Sequence, residues 1–210
     1  MTMEGKLERI NNLLSHLHTE ITALERRRTE VIEVLRKRER TPKRISMPKL
    51  ASPVQIYQGA KKMFEQAKVT KKNAGIFSVG IDFLNKISES QGSATAEEVI
   101  SHVALLLKRF ESPSCLVAHR SRDEFVLVML GSEAEMIALA ESIRKGAERL
   151  HGPSIDVDGA PSDVVQWRTT ISLGMSVAAK CEYRVESALQ VAQDALGTAR
   201  KKGRNRVQAA

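Results

Sequence analysis

Two adjacent carboxylates, Asp123 and Glu124, stand between the apolar runs Cys115–Ala118 and Phe125–Leu130. Apolar runs of that length around a short polar tip predict a tight hairpin with the acids at its turn. Further along, the segment Ala199–Val207 carries Arg200, Lys201, Lys202, Arg204 and Arg206. Acids that gather divalent cations and a basic segment that meets phosphate are the parts of metal-assisted phosphoryl transfer. Such a site needs a carboxylate from a neighbouring strand as well. The nearest source is Asp82, at the end of the β-rich run Gly75–Leu84.

These groups must be held by a mixed framework. Helical periodicity covers about Pro53 to Ala67 and is followed by the β-rich run. A helix near Ala94 to Phe110, the hairpin, a helix near Ser132 to Leu150, a strand Gln166–Val177, a helix near Val185 to Lys201 and a short strand at Arg206-Val207 complete the order. This β-α-β-β-α-β core, with extra elements at both ends, predicts an α+β fold: a sheet containing antiparallel strands, with helices on one face. The stretch 151–165, rich in Pro, Gly and acids, reads as a mobile loop. A two-residue turn centred on Ser121 and Arg122 calls for positive φ there, a conformation that glycine takes freely and arginine does not.

Ahead of this core lies a different kind of sequence. Met3, Leu7, Ile10, Leu14, Leu17, Ile21, Leu24, Arg28, Val31 and Leu35 alternate at spacings of four and three, the period of a coiled coil. The reading is a dimerisation helix over residues 1–40, with a parallel homodimer formed through residues 3–35. A basic, Pro-containing linker follows over 41–51, and the globular domain occupies 52–210. Residues 1–49 hold 12 Lys/Arg against 7 Glu, so most of the net charge of +8 lies outside the globular part. The run Arg36–Arg44 offers positive charge to nucleic acid or a membrane surface, although no aromatics are interleaved for base stacking. No apolar run is long enough to span a bilayer, and the N-terminus lacks a secretory pattern. Cys115 and Cys181 form neither a metal-like spacing nor a disulfide framework, and the five histidines lack ligand spacing. A cytoplasmic setting is expected.

Over roughly residues 52–208 these motifs, in their order, resemble the GGDEF family of diguanylate cyclases. The signature falls on Ser121, Arg122, Asp123, Glu124 and Phe125, with Ser-Arg in place of Gly-Gly. Gly80 stands where the family has a metal-binding carboxylate, in Gly80–Ile87, which is similar to its Asp-Ile-Asp-x-Phe-Lys segment. Ser88 takes the place of a guanine-recognising asparagine, and Glu97 that of a second recognition acid. Ser112–Cys115 replaces the product-inhibition motif Arg-x-x-Asp and lacks both charged residues. Arg200 and Arg204 match the Lys and Arg that grip phosphate, and helix C-capping is a competing role for them. The strand Thr169–Val177 matches the family's core strand.

The resemblance implies a nucleotide-cyclase-like fold and the conversion of GTP to cyclic di-GMP. The departures from it imply that catalysis is lost. Loss of the ligand, the glycine turn and the asparagine removes several kcal/mol of stabilisation, about 1.4 of which is a tenfold change in rate. The expectation is a non-catalytic signalling module that needs no cofactor, acting as a coiled-coil dimer on a protein partner and sensing GTP or cyclic di-GMP. A weakly active cyclase, holding Mg2+ or Mn2+ with Asp82, Asp123 and Glu124, is the alternative. A nucleic-acid or membrane-surface binder working through the basic linker is a further one.

Overall fold

Every residue of Ala74–Ile81 is buried, as a strand covered on both faces requires. In the computed structural model this strand, β1, is the middle of a five-stranded sheet of order β2-β3-β1-β6-β7. Its partners are β2 (Cys115–Ser121), β3 (Glu124–Leu130), β6 (Ile171–Val177) and β7 (Val207–Ala209). β1 runs antiparallel to β3 and β6, and β7 runs parallel to β6. The structure describes residues 15–31, 45–155 and 161–210, and the chain divides into two units, Met1–Lys43 and Arg44–Ala210.

In the first unit residues 15–31 form helix α1. Leu17, Ile21, Leu24 and Val31 of the heptad stripe are between 49% and 63% exposed, so this apolar seam is uncovered in the single chain. The rest of the 3–35 stripe and the basic run 36–44 lie outside the described residues. Among the described residues no helix is long and apolar enough to cross a membrane.

In the second unit the helices are α2 (Pro53–Thr70), α3 (Leu84–Gln91), α4 (Ser93–Lys108), α5 (Glu133–Glu148) and α6 (Val185–Lys201). Two starts are set by capping boxes. Ser52 accepts from the Gln55 amide while Gln55 accepts from the Ser52 amide, and Ser132 and Glu135 repeat the exchange. The helices cover both faces of the sheet, not one. Ile76, Val126 and Val128 pack with Ala60, Phe64, Ala188 and Ala192 of α2 and α6. Phe77, Val79, Phe125 and Leu127 pack with Val99, Val103, Met136 and Ile143 of α4 and α5. The strands are apolar at successive positions, and that pattern, not alternation, is the mark of a sheet buried on both sides.

Two further differences bear on the site. The stretch expected as a loop contains β4 (His151–Ile155) and β5 (Pro161–Arg168), which pair with each other; residues 156–160 lie outside the described residues. The single strand expected over 166–177 is therefore split at Thr169-Thr170 between β5 and β6. The split lets Trp167 bury fully, its indole against Gly152 and edge-on to His102. Of the expected linker, residues 45–50 form no regular element, and the Ala51 amide donates to the Val117 carbonyl of β2.

Candidate functional site

The β2–β3 hairpin turns at Arg122-Asp123, one residue later than expected, with Ser121 paired to Glu124. Neither turn residue takes a positive φ. The register shifts between His119 and Ser121, which leaves Arg120 as a bulge. A bulge adds local twist, so this hairpin closes without the left-handed glycines that a regular two-residue turn needs. The acids then leave the tip side by side. Asp123 precedes β3, and Glu124, its first residue, lies opposite Gly80 of β1.

Arg200, in the last turn of α6, reaches across to both. Its Nη2 donates to Asp123 Oδ2 at 2.9 Å and its Nη1 donates to Glu124 Oε1 at 3.1 Å. A Cβ placed on Gly80 would stand 2.3 Å from Nη2 and 2.8 Å from Cζ of the same guanidinium. The space that a β1 side chain would use to meet these carboxylates is thus filled by arginine. A glycine inside a strand marks a site where another group approaches closely, which here is the Arg200 guanidinium.

Asp82 does not join them. It is 1% exposed, and its carboxylate accepts from Thr170 Oγ1 at 2.8 Å, Ser172 Oγ at 2.8 Å and the Asn205 amide at 3.0 Å. Three donors on one buried carboxylate satisfy it where it stands. The partners come from the start of β6 and the residue before it and from the loop before β7, so Asp82, just after β1, fastens that strand's end to the C-terminal segment. Asn205 extends the network to α5: it accepts from Arg144 at 2.9 Å and donates to Glu148 at 2.6 Å. The Asn205 amide and Arg144 hold the Glu148 carboxyl below the usual carboxylate range.

The remaining candidates do not converge on one place. Arg122 Nη2 donates to Ser88 Oγ of α3 at 3.0 Å, so the tip arginine reaches the position matched to base recognition. Arg204, at φ 63°, places its guanidinium 4.4 Å from the centre of the exposed Phe83 ring, with Lys86 Nζ 5.0 Å from the same ring. Phe83, Lys86, Asp123, Arg200 and Arg204 line a cleft of about 270 Å³ with three cations and one of the two hairpin acids. Glu97 is elsewhere. It is exposed on α4 and lines a separate groove with Ile45, Met47 and His119. Phe125 is fully buried between sheet and helices and serves packing.

The residues present do not suit a divalent cation. A cation such as Mg2+ needs one or two free carboxylates beside its waters and phosphates, whereas both hairpin acids here are engaged by one guanidinium and Asp82 is tied to Thr170, Ser172 and Asn205. Among the described residues no group of three or more His, Cys, Asp or Glu converges as a ligand set.

The comparisons with known proteins agree with this architecture. The family model "Diguanylate cyclase, GGDEF domain" matches residues 46–206. The chain is 27% identical over 144 residues to the probable diguanylate cyclase DgcT of Escherichia coli, covering 68% of this chain and 30% of that protein. It is 31% identical over 141 residues to diguanylate cyclase A of Treponema denticola, covering 65% and 35%. The chain thus spans about a third of the length of these relatives. Among solved structures, the coiled coil and GGDEF domain of DgcB from Caulobacter crescentus, in complex with c-di-GMP, superimposes with a TM-score of 0.64 at 20% identity, covering 94% of this chain and 99% of that one. A family model that takes in both the hairpin acids and Arg200 and Arg204, on a sheet of matching shape, makes this chain a member of the GGDEF family.

Proposed function

We propose that this protein is a non-catalytic GGDEF module of cyclic di-GMP-related signalling, acting through protein–protein contact. One observation carries the reading: β1 brings no carboxylate to Asp123 and Glu124, because Gly80 stands opposite Glu124 and Asp82 is turned to β6. Cation-assisted transfer depends on divalent cations that stabilise charge at the attacking and leaving oxygens, and those cations must be held by acids from both strands. A hairpin acid pair with no β1 partner does not assemble that site. The cyclase names of the relatives support the signalling context.

In this reading residues 1–40 form a dimerisation helix, 41–51 the linker and 52–210 the regulatory domain. The uncovered apolar seam of α1 supports a homodimer of the cytoplasmic protein. Purified protein incubated with GTP and Mg2+, then Mn2+, is expected to yield no cyclic di-GMP by chromatography. Product that disappears in Asp123→Ala would overturn the reading.

A further inference from the structure

We propose that Arg200 is a built-in replacement for a divalent cation at the hairpin acids, and that Gly80 is the residue that admits it. The inference rests on the non-catalytic reading and deepens it, since it names what occupies the site. Asp123 and Glu124 are neighbours on one hairpin, 40% and 17% exposed, and a cation placed between two such anions offsets their mutual repulsion. A guanidinium does this in a way an ammonium does not. Its planar fork offers separate N–H groups to separate oxygens, and here Nη2 serves Asp123 while Nη1 serves Glu124.

Gly80 and Arg200 form one device. Because a Cβ at position 80 would fall 2.3 Å from Nη2, any larger side chain there displaces the guanidinium, and the guanidinium in turn excludes a β1 ligand. The hairpin tip is tied on its other side as well, where Arg122 donates to Ser88 of α3. Both arginines are spent inside the domain, on acids and on α3. The tip is therefore held by protein groups that need no metal, and the domain's stability does not depend on divalent cations.

The test is thermal unfolding of the full-length chain, followed by the fluorescence of Trp167, in EDTA and in millimolar Mn2+, with calorimetric titration of Mn2+ alongside. The wild-type Tm is expected to be the same in both solutions, with no binding heat. Arg200→Met, which keeps the apolar stem and removes the charge, is expected to lower Tm in EDTA by about 4 °C, the shift that two modest, partly exposed ion pairs support. Millimolar Mn2+ is expected to return most of that loss, because the freed acids then take the cation. Gly80→Ala, which leaves Arg200 in place but pushes its end aside, is expected to gain the same Mn2+ response.

A Mn2+-dependent rise in the wild-type Tm would overturn the proposal. So would an Arg200→Met protein that folds and ignores Mn2+, or a Gly80→Ala protein indistinguishable from wild type. Cyclic di-GMP made by the wild type in the same buffers would sink the non-catalytic reading. A wild-type Mn2+ response without product would sink the guanidinium replacement alone.

Discussion

Replacing Asp82 separates a carboxylate kept for the fold from one kept for chemistry. Asp82→Ala removes the acceptor for Thr170 Oγ1, Ser172 Oγ and the Asn205 amide. A buried donor left unpaired costs about 1–3 kcal/mol, and a bond to a charged acceptor is worth about 1.5–3. The three donors are unequal. Ser172 is fully buried, while Thr170 and Asn205 are partly exposed and can turn to water. Discounting those two gives a loss of about 3–5 kcal/mol, or a Tm lowered by about 6–20 °C for a domain of this size. Asp82→Asn is expected to lose only about 1–2 kcal/mol. Its amide oxygen can still serve Asn205 and Thr170, and its NH2 can donate to the Ser172 hydroxyl, which accepts as readily as it donates. Urea unfolding followed by Trp167 fluorescence measures both, with and without Mg2+. If Asp82→Ala lost less than about 1 kcal/mol, or if its loss appeared only when Mg2+ was present, the reasoning would fail and Asp82 would return as a metal ligand.

Two further outcomes follow from the packing and the charges. Gly174→Ala is expected to destabilise by about 3 kcal/mol, because its Cβ would lie 2.1 Å from the Ala192 carbonyl and 2.2 Å from the Leu196 amide, both backbone atoms of α6; Gly197→Ala, with open space around it, should stabilise α6 by up to about 1 kcal/mol, and chemical denaturation of the pair checks the contrast. Because Asn205 and Arg144 lower the Glu148 pKa, the charged form adds stability that is fully present above the usual carboxylate value of 4.5 and is lost as pH falls through the lowered one; the Tm gap between wild type and Glu148→Gln is therefore expected to be widest at neutral pH and to close in acid.

The order of elements was legible because each core segment carries a local signal. Capping boxes at Ser52 and Ser132 mark helix starts, and unbroken apolar runs mark β1 and β3. The same runs held information that went unused: strands apolar at successive positions require cover on both faces, so the second helical layer was implied by β1 itself. The break at Thr169-Thr170 was hidden because Trp167 and Ile171 both suit a strand, and only tertiary packing decides which sheet each joins. In the site, the side-by-side acids and the glycine opposite them could be read from resemblance and spacing. The hold of Arg200 on both acids could not, because it joins residues 76 and 77 positions apart in the chain. Asp82 misled for a related reason. Alternation placed it near the hairpin, whereas the hydroxyls of Thr170 and Ser172 drew it to the other neighbour of β1.

The pairing of Ala51 with β2 bears on how the molecule behaves when stressed. β2 is an outer strand of the main sheet, and its free amides and carbonyls are a template for another strand. Among the described residues, segment 45–51 lies along it through one bridge at Ala118, the packing of Leu50 and Ala51 on the core and Lys108 donating to the Lys49 carbonyl at 2.9 Å. So small a set of contacts opens at low free energy compared with the buried centre of the sheet. Amide exchange along this margin is therefore expected to be faster than in β1, and on gentle heating the segment 45–51 is expected to peel away before β1 does. Strand addition at β2 is therefore an expected route of self-association in a warmed sample, and a proline placed in β2 at a position facing segment 45–51 tests it.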